Sequence, residues 1–91
     1  MKIRFYRDAG TGEPHVWKHG VSEDEAMQAL DSAEEDRRAR DGARAAIGKT
    51  DGGRYLRVIY FVDAEAVVIL TAFDLSARQL AAFRRRKRSK R

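Results

Sequence analysis

The chain has 91 residues, enough for one domain with a small core that buries about 60–65% of the surface its unfolded form exposes. It has no cysteine, which excludes disulfide and thiolate chemistry and suits a reducing cytoplasm, and no apolar run nears the roughly 20 residues that span a bilayer. The formal charge of +5 is local: residues 84–91 supply seven cations, and the rest of the chain carries a net −2.

Residues 1–10 are charged and strand-like, unlike a signal peptide. Within them, residues 2–7 alternate, with Ile3 and Phe5 on one face, and predict a short strand. Gly10, Gly12, Pro14 and Gly20 make residues 8–20 a loop, which contains His15-Val16-Trp17-Lys18-His19. Ser22 with Glu25 three residues on is a capping box, and Val21 can staple onto Ala26. Glu23, Asp24 and Glu25 suit the positive end of a helix dipole, and Ala26, Ala29, Leu30 and Ala33 recur on one narrow face. A helix is expected over about 23–32. Residues 34–41 are almost wholly charged, giving an exposed edge strand or a mobile loop. Asp41-Gly42 is a hairpin signal, Ala43 to Lys49 a strand, and Asp51-Gly52-Gly53 a second turn.

Arg54 to Val62 is the clearest strand, with Leu56, Val58, Tyr60 and Val62 on one face and Tyr55, Arg57, Ile59 and Phe61 on the other. After a turn at Asp63-Ala64-Glu65, Ala66 to Phe73 is nearly all apolar and predicts a central strand buried on both faces. The two strands form an antiparallel hairpin. Ser76 and Gln79 make a second capping box, Leu80 and Phe83 share a face, and this helix runs into the cationic stretch. The fold class is α+β: a small antiparallel sheet of three to five strands with two helices on one of its faces. Residues 1–83 form the domain, and residues 84–91 are a basic extension of the last helix.

The segment 15–19 gathers both histidines, the only tryptophan and a lysine. Imidazole titrates near neutrality and serves as general acid or base. Cations stabilise the charge of a phosphodiester transition state. Metal-free RNA cleavage needs those groups: a base for the 2′-hydroxyl, an acid for the leaving oxygen, and cations on the phosphate. The structural alternative has Trp17 filling the core and the histidines capping loop carbonyls. His15 and His19 have the spacing of half a zinc site, but Pro14 and Gly20 oppose a regular helix and no cysteine or second histidine pair completes it, so no metal is expected.

Gly48-Lys49-Thr50 copies the end of a phosphate-binding loop, yet position 43 is alanine and a turn follows where a helix should open, so it reads as a hairpin end. Glu34-Glu35-Asp36 lacks partner carboxylates for Mg²⁺ and reads as solvated surface that can also mimic nucleic acid toward the chain's own tail. That tail, Arg84, Arg85, Arg86, Lys87, Arg88, Lys90 and Arg91, is the candidate nucleic-acid-binding element, with phosphates as its main targets. Its bland alternative is a merely solubilising run.

Lys18-His19-Gly20-Val21-Ser22, followed by acidic residues and a short amphipathic helix, resembles the opening of BrnT-type toxins. These are small bacterial ribonucleases of the wider RelE-like group, paired with a DNA-binding antitoxin. Arg54 to Tyr60 resembles the family's central strand. Ile69-Leu70-Thr71-Ala72, then a polar cap and an arginine-rich helix, resembles its last strand and final helix. The resemblance spans most of residues 15–88. It implies a RelE/BrnT-like fold and a metal-independent endoribonuclease in the bacterial cytoplasm. It also implies RNA as substrate, an antitoxin as partner, and no cofactor. His19 would carry the proton, and Lys18 with Arg54 or Arg57 would hold phosphate. The family often has arginine where Phe73 stands, and glutamate and tyrosine where Gln79 and Phe83 stand. Those departures leave a second expectation, a non-catalytic nucleic-acid-binding or interaction module that works through the basic tail.

Overall fold

A computed structural model describes residues 2–89, so Lys90 and Arg91 of the tail lie outside the described residues. The elements run β1 (Lys2–Phe5), α1 (Glu23–Asp31), β2 (Glu35–Arg38), β3 (Arg44–Lys49), β4 (Tyr55–Asp63), β5 (Ala66–Asp74) and α2 (Ala77–Ser89), with a short 3₁₀ turn over His15–His19 before α1. The five strands form one sheet in the order β1-β5-β4-β3-β2. Both capping boxes form. Ser22 and Glu25 exchange side-chain and backbone hydrogen bonds of 3.0 and 3.1 Å, and Ser76 and Gln79 do the same at 2.9 and 3.1 Å. At the β2–β3 turn, Asp41 and Gly42 both adopt left-handed φ values of 55° and 80°, as a tight hairpin of that twist demands.

The sheet departs from the sequence expectation in one pairing. β2–β3, β3–β4 and β4–β5 are antiparallel, but β1 lies parallel to β5, with Lys2 opposite Ala66 and Phe5 opposite Ile69. Hairpins announce themselves through turn residues. A parallel pair needs a long crossover and leaves no local mark. β1 also stops at Phe5, two residues early, because Arg7 turns away to bridge Pro14.

The helices take opposite faces of the sheet, not one. α1 lies on the face of Ala46, Gly48, Leu56 and Val58. There its Ala26 and Ala29, both fully buried, join Val16, Val21, Tyr60, Ile69 and Ala72 in the core. The alanine stripe lets the helix sit close. A Cβ built on Gly48 would fall 1.8 Å from the carbonyl oxygen of Ala29. Gly48 is therefore a packing glycine, and Thr50, whose Oγ1 accepts from the Arg54 N–H at 3.0 Å, closes the following turn as expected of a hairpin end.

α2 lies on the other face. Phe83, 1% exposed, packs its ring 5.6 Å from that of Tyr55, and Arg86 forms a two-point ion pair with Glu35 at 2.8 Å. The helix thus leaves the end of β5 and crosses toward β2. It covers Tyr55 and leaves the β4–β5 side of this face more open. β5 is consequently not buried on both faces. Ile69 and Ala72 are fully buried toward α1, while Val68, Thr71 and Phe73 on the other side are only half-buried. Leu70 is an extra residue in β5, because Ile59 faces Thr71 while Tyr60 already faces Ile69.

Candidate nucleic-acid interface

Strand alternation decides which cations can share a surface. Arg57 stands on the open face, paired across β3 with Ile47 and across β5 with Phe73. It is half-buried and makes no hydrogen bond or ion pair among the described residues. Glu35, a carboxylate, lines the same cleft as Arg57 but is hydrogen-bonded to Arg86. The Thr71 hydroxyl oxygen, on the same face, is buried without a partner.

On one flank of Arg57 a cleft of about 160 Å³ is lined by Glu35, Arg37, Ala45 and Ile47. It adjoins a larger cleft, about 680 Å³, that shares Glu35 and Arg37 and is closed by Ala82, Arg85, Arg86 and Ser89 of α2. Arg57 and the start of the basic helix extension therefore share one continuous surface. On the other flank, across Phe73, stands His19. Its exposed ring lies 5.9 Å from the Phe73 ring at the edge that β1 leaves uncovered. The His19 edge and the β2 edge are three strand spacings apart, about 14 Å.

Arg54 does not join this surface. It lies three residues before Arg57 and so points toward the α1 face. There its Nε and Nη2 grip both oxygens of Asp74 at 2.7 and 2.8 Å, while Nη1 reaches the Gly20 carbonyl at 3.0 Å and Glu25 at 3.1 Å. Those contacts consume the guanidinium, raise its pKa and hold the Asp74 carboxyl below its ordinary range; Glu25 is held low first by the Ser22 N–H and then by Arg54. Of the two phosphate-holding candidates, Arg57 makes no ion pair among the described residues and Arg54 is a clamp between the 3₁₀ turn, the start of α1 and the end of β5.

The His-Trp-Lys-His segment is arranged differently from its structural alternative. Val16, 1% exposed, enters the core, whereas Trp17 is 49% exposed and donates its Nε1–H to Glu23 at 3.0 Å. Among the described residues, the histidines cap no carbonyl. Nδ1 of His15 lies 2.9 Å from Oδ1 of Asp8, and the His15 and His19 rings meet edge to face at 5.4 Å. Lys18 is 61% exposed, with Nζ 3.5 Å from the second oxygen of Asp8. The hydrogen bond from His15, reinforced by Lys18, holds the Asp8 carboxyl below its ordinary pKa. Asp8 was not legible as a site residue, since it sits seven positions before His15 in a segment without periodicity.

The cationic extension is partly occupied by the chain itself. Glu35 holds Arg86, and Glu34 holds Lys87, lowering the Glu34 pKa and raising that of the lysine. The run is not simply solvated surface, as expected, because Glu35 is buried; it does pair with the tail, the second part of that expectation. Among the described residues, Arg84, Arg85 and Arg88 have no such partner.

The sequence matches no protein-family model, and comparison with curated proteins finds no relative. Among the described residues no helix is long and apolar enough to cross a membrane. The chain is an α+β domain whose site must be read from its own chemistry.

Proposed function

We propose that this chain is an RNA-acting protein of the BrnT/RelE-like toxin type, a metal-independent endoribonuclease whose substrate crosses the open sheet face. One observation carries the reading: the half-buried, unpartnered guanidinium of Arg57, with His19 across Phe73 on one side and the cations of Arg37 and Arg85 on the other. A phosphodiester would give the Arg57 guanidinium a hydrogen-bonded anion, and an imidazole beside it supplies proton transfer. Arg84, Arg85 and Arg88 extend the contact along the backbone without choosing sequence. In this reading the DNA-binding antitoxin acts by covering the same face, and the setting is the bacterial cytoplasm.

The test is single-turnover cleavage of a structured RNA by the purified protein and by His19→Ala and Arg57→Ala. Loss of cleavage in both variants, with RNA still bound by the first, supports the reading. No cleavage by the wild-type protein at any concentration refutes it.

A specific observation favours the second reading, a non-catalytic binding module. Phe73 occupies the position where the resembling toxins often carry arginine, and Phe83 fills the interior where they often carry tyrosine. An apolar ring between Arg57 and His19 suits stacking of a base as well as it suits chemistry. Equal RNA binding by wild type and His19→Ala, with no cleavage by either, is the outcome that reading expects.

A further inference from the structure

We propose that His15, oriented by Asp8, is the general base of the site and that His19 is its general acid, acting on a phosphodiester that carries a neighbouring 2′-hydroxyl. This rests on the nuclease reading above and assigns the second proton carrier that such a reaction needs.

The segment that holds Asp8 and His15 has other closing contacts besides theirs. Its turn is already closed by backbone hydrogen bonds: Asp8 N–H to Glu13, Gly12 N–H to Asp8, and His15 N–H to Tyr6, at 2.8 to 2.9 Å, with Arg7 donating to the Gly12 carbonyl at 2.8 Å. The carboxylate–imidazole pair is added to those contacts. The two side chains are only 17% and 29% exposed, so both have been drawn out of water toward each other. With Nδ1–H donating to the Asp8 carboxylate, the lone pair of the neutral ring resides on Nε2, the tautomer a general base requires.

The surroundings keep that arrangement specific. Tyr6, Lys18 and His19 face His15 from its own segment, the Tyr6 ring at 6.1 Å and the His19 ring at 5.4 Å. β5 contributes the uncharged Phe73 ring, next to His19. The acidic groups of α1 nearest the turn are engaged elsewhere, Glu23 by Trp17 and Glu25 by Arg54. Asp8 is thus the carboxylate that acts on the pair, and Lys18 balances its charge from the opposite oxygen.

The step balances without a cofactor. Nε2 of His15 takes the 2′-hydroxyl proton, and the 2′-oxygen bonds to phosphorus as the bond from phosphorus to the 5′-oxygen breaks. Protonated His19 delivers its proton to that 5′-oxygen. The products are a 2′,3′-cyclic phosphate and a free 5′-hydroxyl, with one proton moved between the imidazoles. Lys18 on the near side and Arg57 beyond Phe73 stabilise the negative charge that gathers on the phosphate.

The experiment is single-turnover cleavage across pH 5 to 9 by wild type, His15→Ala and Asp8→Asn, with end-group analysis of the products and circular dichroism of each protein. His15→Ala is expected to slow cleavage by about 10²–10⁴-fold, the usual share of a general base. Asp8→Asn preserves shape and removes the negative partner. It is expected to slow cleavage less and to displace one limb of a bell-shaped profile, a change that mere loss of loop stability does not make. Wild-type-like cleavage by folded His15→Ala, or an Asp8→Asn profile that falls without shifting, overturns this assignment and leaves the nuclease reading standing. Products lacking a cyclic phosphate overturn it as well. Absence of cleavage by the wild-type protein overturns both.

Discussion

Arg54, just before β4, and Arg57, within it, are similar residues in different settings, and replacing each by methionine separates them. Arg54→Met removes a two-point bond to Asp74 and contacts to Glu25 and the Gly20 carbonyl. Charge-assisted hydrogen bonds are worth about 1.5–3 kcal/mol each when desolvated. Asp74 is 54% exposed, so solvent screening discounts its share strongly. A net loss of about 2–3 kcal/mol remains for the clamp as a whole. At about 4–8 °C per kcal/mol for a domain of this size, Tm should fall by roughly 10–20 °C. Arg57→Met breaks no bond and removes a half-buried, uncompensated charge, so Tm should stay within about 3 °C or rise. Its loss should appear instead in RNA cleavage and binding. Thermal unfolding followed by circular dichroism reads the first quantity, and single-turnover cleavage below the Tm of both variants reads the second. An Arg57 variant that destabilises as much as the Arg54 variant would refute the division, as would undiminished cleavage without Arg57.

The same clamp sets a pH dependence. Glu25 and Asp74 have folded pKa values below their ordinary 4.5 and 3.8, the first through the Ser22 N–H and then Arg54, the second through Arg54. The stabilisation is therefore complete above those ordinary values and is lost as pH falls through them to the folded ones, so Tm should drop on acidification below about pH 5, less steeply in Arg54→Met. Gly48→Ala sets a Cβ against the Ala29 carbonyl oxygen and should cost about 3 kcal/mol by denaturant unfolding, the upper end of overpacking. A cost below 1 kcal/mol would mean that α1 shifts freely. The double change Glu34→Gln, Glu35→Gln frees Lys87, Arg86 and Arg37, and should steepen the log–log salt dependence of single-stranded RNA binding by about 0.7 for each freed cation. Fluorescence anisotropy over a KCl series measures it, and an unchanged slope would show that those cations do not reach RNA.

What the sequence disclosed was whatever is encoded within a few residues. The capping boxes at Ser22 and Ser76, the hairpin at Asp41-Gly42 and the alternation of β4 depend on neighbours, and each stands where the local chemistry put it. The parallel docking of β1 depends on residues some sixty positions away, and so does the choice of face for α2. The separation of Arg54 from Arg57 was available in principle, since an odd offset along a strand places two side chains on opposite faces. The Asp8–His15 contact was not, because an irregular turn brings those two residues together. The acidic run at Glu34 and Glu35 was readable as a decoy for the tail because opposite charges needed only the helix to reach them.

The parallel pairing of Lys2–Phe5 with Ala66–Ile69 has a temporal meaning. During synthesis the first strand emerges with no edge to join, and it waits until the chain has grown past residue 69. Closing so large a loop has a high entropic cost, and that cost is met only once the β4–β5 hairpin offers its border. The turn bearing Asp8, His15 and His19 hangs from that first strand. Asp8, His15 and His19 are thus among the first residues made, yet the edge that their turn hangs from is completed only after residue 69.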